Sequence, residues 1–159
     1  MSSILSKEEM KLLRKKFKDE KKKVVFTNGV FDLVHAGHVD YLIKAKALGD
    51  VLIVGLNSDA SVKRIKGEKR PLINQSERAF LLSNLKPVDY VVIFDEDTPL
   101  ELIKELVPDI LVKGADWAIN KIVGSDVVLN NGGEVKNIEF VNEQSTTKII
   151  NTILSRYSD

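Results

Sequence analysis

Short apolar runs rich in β-branched residues recur along the chain at wide spacing, and this pattern constrains the fold more than any other feature. The runs cover residues 24–26, 51–56, 91–94, 110–112 and 138–141. Nearly continuous apolar character is typical of strands that are covered on both faces. Because helical patterns separate the runs, the sequence predicts an α/β fold, a doubly wound parallel sheet of about five strands with right-handed crossovers.

Helix boundaries can be read from local capping signals. Ser6 with Glu9 predicts a capping box, and Thr98 followed by Pro99 predicts an N-cap with proline at the first helical position. The segment 145–156 predicts an amphipathic helix. Its apolar stripe consists of Ile149, Ile150, Ile153, Leu154 and Tyr157. We expect that stripe to dock against the rest of the protein.

The length of the chain predicts one domain, and its charge balance predicts no strong overall electrostatic field. The 159 residues predict a single domain over 1–159, with an N-terminal basic helix in 1–22 and a catalytic core in 23–159. The 24 basic and 23 acidic residues give a formal net charge of +1, which leaves no global attraction for nucleic acid or anionic lipid. The basic stretch 11–23 is interpreted as a solvated amphipathic helix.

Two further absences in the sequence exclude classes of protein. The chain has no cysteine, which excludes disulfide frameworks, thiolate metal sites and thiol nucleophiles. No apolar run approaches the roughly 20 residues that a membrane helix needs. The first residues also lack the basic-then-apolar order of a signal peptide. We therefore expect a soluble, cytoplasmic protein without a membrane partner.

The strongest functional signal follows the first predicted strand. Both histidines of the protein, His35 and His38, lie three residues apart at the predicted N-terminus of a helix, with Gly37 between them. A helix N-terminus offers unpaired backbone N–H groups and a positive dipole, which suit phosphate oxygens. Imidazoles placed there can donate hydrogen bonds to charge that develops on phosphorus.

Other chemistries fit this sequence less well. Zinc binding is disfavoured because the helical His-Glu-x-x-His pattern and cysteine ligands are absent. A serine hydrolase lacks its Gly-x-Ser-x-Gly elbow. The chain has neither a P-loop nor a Gly-x-Gly-x-x-Gly fingerprint, so ordinary P-loop kinases and dinucleotide dehydrogenases are disfavoured.

The segment from Thr27 to His38 resembles the His-x-Gly-His signature of the nucleotidyltransferase superfamily, which includes cytidylyltransferases and pantetheine-phosphate adenylyltransferase. Segments 54–67, 70–71, 96–99, 111–117 and 145–150 are similar to the adenylyltransferase domain that makes ADP-heptose from a heptose 1-phosphate. The resemblance spans nearly all of the chain after Lys23. It implies a Rossmann-like nucleotidyltransferase fold and an adenylyltransferase that serves surface polysaccharide, of the lipopolysaccharide type.

The resemblance also implies roles for individual residues. His35 and His38 would be catalytic contacts to the nucleotide phosphates, with Lys66 and then Lys63 as catalytic cations in a lid over the polyphosphate. The implied nucleotide-binding residues are Thr27, Asn28, Gly29, Phe31, Arg78, Gly114, Asp116, Ser145, Thr146 and Thr147. Asp32 and Arg70 would bind the sugar phosphate. The competing interpretations are an ion pair with Glu77 or Asp95 for Arg78, and a local turn hydrogen bond for Asp32.

The expected ligands follow from this reaction. ATP and a sugar phosphate are the expected substrates, Mg²⁺ would arrive bridging the phosphates without a protein metal site, and nucleic acid is not an expected partner. A homo-oligomer is expected, and a separate sugar kinase would act upstream. Two alternatives stay open: an enzyme like glycerol-3-phosphate cytidylyltransferase, or a module that senses a nucleotide without turnover.

Overall fold

The computed structural model describes residues 3–114, 117–140 and 145–158. Within those ranges the chain forms six strands and seven α-helices. The strands are β1 (Ile4–Leu5), β2 (Val24–Gly29), β3 (Val51–Asn57), β4 (Tyr90–Phe94), β5 (Ile110–Gly114) and β6 (Glu134–Ile138). The helices are α1 (Lys7–Asp19), α2 (Ala36–Lys46), α3 (Asp59–Lys66), α4 (Gln75–Ser83), α5 (Leu100–Leu106), α6 (Ser125–Asn130) and α7 (Thr146–Tyr157).

The strands form one parallel sheet in the order β1-β4-β3-β2-β5-β6. From β2 the chain moves outward through β3 and β4 on one side, and later returns to place β5 and β6 on the other. The strand order therefore reverses between β2 and β5. Such a switch point leaves a crevice at the carboxyl ends of the strands, where this class of fold binds ligands. The doubly wound parallel sheet is confirmed.

Two apolar layers cover the sheet, one on each face. Val24 and Phe26 of β2 belong to one core cluster, whereas Val25 between them belongs to the other. All seven residues of β3 are buried. Burial on both faces explains why the strand sequences read as continuous apolar runs rather than as alternating ones.

Strand number and position differ from the sequence prediction at the two edges of the sheet. The strand expected at 138–141 runs instead over β6, where exposed Glu134 and buried Val135 begin an alternating pattern. An edge strand with one solvated side lacks a continuous apolar run. The sequence pattern therefore predicts a start for this strand that is too late. Strand β1 has only two residues, too few for a sequence pattern, and it pairs with Val91 and Val92 of β4. Val141 lies outside the described residues.

One predicted helix start is confirmed and another is shifted. The Ser6 hydroxyl accepts from the Glu9 N–H at 3.2 Å, and the Glu9 carboxylate accepts from the Ser6 N–H at 2.8 Å. The capping box of α1 is therefore confirmed. Helix α5 instead starts one residue later than expected. Pro99 occupies its N-cap position without a side-chain cap bond, so Thr98 does not cap this helix.

Helix α7 begins where the sequence predicts, after an N-cap at Ser145, but only Ile149 and Ile150 of its apolar stripe are half-buried. Ile153, Leu154 and Tyr157 are 49%, 56% and 82% exposed, and among the described residues α7 buries none of its own. Within the described part of the chain, the expected docking is therefore wrong for the C-terminal part of the stripe, from Ile153 to Tyr157. Helical periodicity reports that a face is apolar, but it does not report what lies against that face.

The basic N-terminal helix packs on the sheet as part of the same fold. Met10, Arg14 and Phe17 of α1 are buried, whereas Leu12 is 67% exposed. The Arg14 guanidinium donates to the carbonyls of Leu106 at 3.1 Å and Val107 at 2.9 Å. These carbonyls end helix α5, where a cation opposes the negative end of the helix dipole. None of the helices in ranges 3–114, 117–140 and 145–158 is both long and apolar enough to cross a membrane.

Arg14→Met should destabilise the protein by about 2 kcal/mol, because the carbonyls at the end of α5 lose their charged donors in a buried setting. Urea unfolding at neutral pH measures the effect. The matched variant Lys15→Met, at an exposed position of the same helix, should change stability by less than about 0.5 kcal/mol. An Arg14→Met midpoint equal to that of the control would contradict the buried role of Arg14.

Candidate active site

A cleft of about 590 Å³ lies over the carboxyl ends of the central strands. Of the residues predicted from the sequence, those that line it are Asn28, Gly29, Phe31, Asp32, His38, Lys66, Arg70, Ser145, Thr146 and Thr147. They come from four distant parts of the chain: the end of β2 with the start of α2, the end of α3, the loop before α4, and the start of α7. The fold therefore brings most of the predicted site together.

His35 and His38 form a close pair of tilted rings at the N-terminus of α2. Their ring centroids are 4.0 Å apart, and His38 lines the cleft while His35 caps the helix. The His35 Nδ1 accepts from the Gly37 N–H at 3.2 Å, and the His38 Nδ1 accepts from the His35 N–H at 3.4 Å. When Nδ1 of a neutral imidazole accepts a hydrogen bond, the ring carries its proton on Nε2. Both rings therefore present an Nε2–H donor.

Burial and mutual proximity keep these imidazoles neutral. Burial, followed by the charge of nearby His35, lowers the pKa of His38 to about 4. Burial alone lowers the pKa of His35. At neutral pH the pair thus acts through hydrogen-bond donation, and it adds no fixed positive charge to the cleft.

NMR titration of the imidazole carbons should find a pKa near 4 for His38 and a pKa below 6.5 for His35. The unfolded chain binds protons near pH 6.5 while folded His38 does not, so this group lowers stability as the pH falls from about 6.5 towards 4. His38→Asn should weaken that pH dependence in urea unfolding. A folded-state His38 that titrates near 6.5 would refute the neutral pair.

The loop after β2 folds an aromatic ring over the strand end. Phe31 has a positive φ of 47°, and its ring centroid lies 5.3 Å from that of His38. A Cβ on Gly29 would lie 2.9 Å from the Phe31 ring. The glycine is therefore required by the close approach of Phe31, which in turn packs against the histidine in the cleft.

Two predicted nucleotide contacts lie elsewhere. Thr27 is fully buried in the interior, and its hydroxyl is 2.8 Å from the Tyr41 hydroxyl. Arg78 is 1% exposed and donates to the carbonyls of Ile73 and Val30 and to Asp59. In this arrangement neither side chain reaches the cleft. The family resemblance implied a nucleotide contact for both, but their hydrogen-bond partners are inside the fold.

Arg78 ties three segments together beneath the cleft. Its donor–acceptor distances are 2.9 Å to the Ile73 carbonyl, 2.6 Å to the Val30 carbonyl and 2.7 Å to the Asp59 carboxylate. Within the described residues its ion pair is with Asp59, so the expected alternative of Glu77 or Asp95 is wrong. Arg78 therefore positions the loop after β2 and the start of α3.

Asp32 holds a second loop in place. Its carboxylate accepts from Arg70 Nε at 2.6 Å and from the N–H groups of Leu72 and Ile73 at 2.9 and 3.0 Å. Burial opposes ionisation, but these two N–H groups and the Arg70 guanidinium keep the pKa of Asp32 below its usual value. Its partners lie 38 to 41 residues away, so the alternative of a local turn hydrogen bond is wrong. The side chain is fully buried, and its contact with a sugar stays a prediction.

The two lysines of the predicted cationic lid lie on one helix. Lys63 and Lys66 both belong to α3, and only Lys66 lines the cleft, at the last helical position. Lys63 is exposed. Arg64 pairs with Asp97 at 2.6 Å. The catalytic role of either lysine stays a prediction.

The end of β5 closes the other side of the cleft. A Cβ on Gly114 would lie 2.5 Å from the Phe140 ring, which itself stacks on Tyr41 with centroids 5.0 Å apart. Asp116, the predicted ribose contact, lies outside the described residues. The cleft is also lined by Asn57, Lys113, Trp117 and Lys121, which the sequence analysis did not assign. The available signal for Lys113 was its position at a strand end beside Gly114.

Comparisons with known proteins agree with this architecture. The family model described as cytidylyltransferase-like matches residues 26–152. A lipopolysaccharide core biosynthesis protein from Thermoplasma volcanium GSS1 has a crystal structure that is 31% identical in sequence, with a TM-score of 0.61. That match covers 77% of this chain and 99% of the other. The chain therefore belongs to the cytidylyltransferase-like family, and is a nucleotidyltransferase of the His-x-Gly-His type.

Two curated relatives have a higher sequence identity to this chain than that crystal structure has. The bifunctional protein HldE of Citrifermentans bemidjiense is 62% identical over 136 residues, which is 86% of this chain and 28% of the relative. The HldE of Pelobacter propionicus is 55% identical over 157 residues, which is 99% of this chain and 32% of the relative. The chain thus spans about a third or less of the length of these curated relatives.

Proposed function

We propose that this chain transfers the AMP unit of ATP to a heptose 1-phosphate, giving ADP-heptose and pyrophosphate. The observation that carries the proposal is the neutral His35–His38 pair at the N-terminus of α2, with His38 facing a cleft that three further chain segments complete. Support for the heptose substrate comes from the similarity to HldE and to a lipopolysaccharide core biosynthesis protein. It also comes from the segments 54–67 and 111–117, which resemble the ADP-heptose-forming domain.

In the proposed step, an oxygen of the sugar phosphate attacks the α-phosphorus of ATP. A new P–O bond forms, the bond between the α-phosphorus and the β-phosphate bridging oxygen breaks, and pyrophosphate leaves with the electron pair. The second pKa of a phosphate monoester is about 6, so the attacking phosphate is already ionised at neutral pH. The enzyme needs no general base, and positioning with charge stabilisation supplies the catalysis.

The residues have distinct tasks in this proposal. The Nε2–H groups of His35 and His38 donate to phosphate oxygens as charge builds in the transition state. Lys66, at the rim of the cleft, neutralises the departing pyrophosphate. Ser145 and the start of α7 bind the nucleotide through hydroxyl and backbone N–H groups. Mg²⁺ is proposed to enter bound to the phosphates, where it would offset their charge.

The cellular setting is proposed on the same basis. A sugar kinase activity would act upstream of this step, and the product would feed lipopolysaccharide-type surface polysaccharide. We propose a cytoplasmic homo-oligomer, because the nucleotide substrate is cytoplasmic and the apolar stripe of α7 is exposed. ATP and a sugar phosphate are the proposed partners, without nucleic acid.

A substrate panel tests the assignment. Pyrophosphate release should be fastest with ATP and heptose 1-phosphate, should require Mg²⁺, and should be slow with CTP and glycerol 3-phosphate. Turnover only with CTP and glycerol 3-phosphate would reassign the chain as a cytidylyltransferase. Tight ATP binding without product from any acceptor would instead identify a nucleotide sensor.

His38→Asn should lower kcat by roughly 10² to 10³, because it removes a donor that acts in the transition state. His35→Asn should lower kcat as well, because asparagine can still cap α2 but lacks the imidazole Nε2–H donor. The measurement is the steady-state rate, with circular dichroism as the control for folding. Undiminished product formation by the double variant would overturn the proposed mechanism.

A further inference from the structure

One lysine of the cleft has a place in the fold that the sequence did not reveal. Lys113 lies near the end of β5, and its ammonium donates to Asn28 Oδ1, near the end of β2, at 3.4 Å. These two strands flank the reversal in strand order. Lys113 therefore spans the crevice where a doubly wound sheet binds its ligand.

The charge of Lys113 is poorly compensated in the free protein. The side chain is partly buried, and within residues 3–114, 117–140 and 145–158 no carboxylate forms an ion pair with it. Its contact with Asn28 is long and involves a neutral acceptor. Other lysines illustrate the contrast, since Lys46 pairs with Asp89 and Lys7 with Glu96, both at 2.5 Å.

A second cation increases this cost. Burial lowers the pKa of Lys113, and the positive charge of Lys66 across the cleft lowers it further. Two lysines that repel each other across a cleft lower the stability of the fold. A phosphate between them would reverse the sign of the interaction and pair both charges at once.

We propose that Lys113 is a phosphate-binding residue of this active site, which acts with Lys66 to hold a substrate phosphate across the crevice between β2 and β5. This inference rests on the proposed function for the identity of the two substrates. The shared chemistry is a phosphate group, which either ATP or the sugar phosphate supplies. Two observations support the proposal. Lys113 lies at the switch point of the sheet, and its ammonium can donate further hydrogen bonds.

The test compares Lys113→Met with the wild type by calorimetric titration of four separate ligands: ATP, adenosine, heptose 1-phosphate and free heptose. We expect affinity for at least one phosphate-bearing ligand to fall roughly 10- to 100-fold, the factor for a lost charge-assisted hydrogen bond. Affinity for the matching ligand without phosphate should not change. Loss confined to ATP or to heptose 1-phosphate supports the proposal and identifies the source of the phosphate.

A stability measurement separates binding from a structural role. Because the variant removes an uncompensated partly buried charge, its unfolding temperature without ligand should equal or exceed that of the wild type. Lys104→Met, which removes an exposed lysine paired with Glu101 on α5, is the matched control and should leave all four affinities unchanged. A lower unfolding temperature for Lys113→Met, or unchanged affinity for both phosphate ligands, would overturn the proposal.

The two proposals can fail separately. A wild-type protein that binds ATP but neither binds nor converts heptose 1-phosphate would refute the proposed acceptor. The ATP and adenosine titrations would still test Lys113 in that protein. Turnover of heptose 1-phosphate with unchanged phosphate affinities in Lys113→Met would instead refute only the role of Lys113.

Discussion

The pairing of β2 with β3 on one side and β5 on the other is the interaction on which the rest of the structure depends. It places the strand that carries the histidine motif at the centre of the sheet and reverses the strand order beside it. The carboxyl end of β2 consequently opens into a crevice, and helix α2 starts there with His35 capping its first turn. Because both faces of the central strands are apolar, their register depends on how the side chains pack within the two different core layers.

Buried charges hold the loops around that crevice in position. Asp32 anchors Arg70 and the backbone that follows it, while Arg78 joins that same loop to the loop after β2 and to Asp59. Each buried charge has a partner of opposite sign and further hydrogen bonds, as burial requires. These residues belong to the active site through the loops that they position, and the residues that face the cleft depend on them.

The ionisable residues that line the cleft differ from these buried, paired charges. Its histidines are neutral, and within the described residues Lys66 and Lys113 form no ion pair with a carboxylate, unlike the buried arginines Arg14 and Arg78. Such a surface can bind an anion, but its unpaired positive charges lower the stability of the fold. This combination is typical of functional sites. The exposed apolar stripe of α7 is a second departure from a self-contained fold, and it begins beside the cleft at Ser145.

The sequence by itself determined the fold class, the capping box of α1, and the His35–His38 motif at a helix start, because these follow from local spacing and from strands buried on both faces. Tertiary structure alone decided that Thr27 and Arg78 face inward, that Asp32 binds a loop 38 to 41 residues away, and that Lys113 spans the switch point. The physical reason is that hydrogen bonds and charge repulsion depend on distance in space. Chain spacing reports such distances only within one helix or strand.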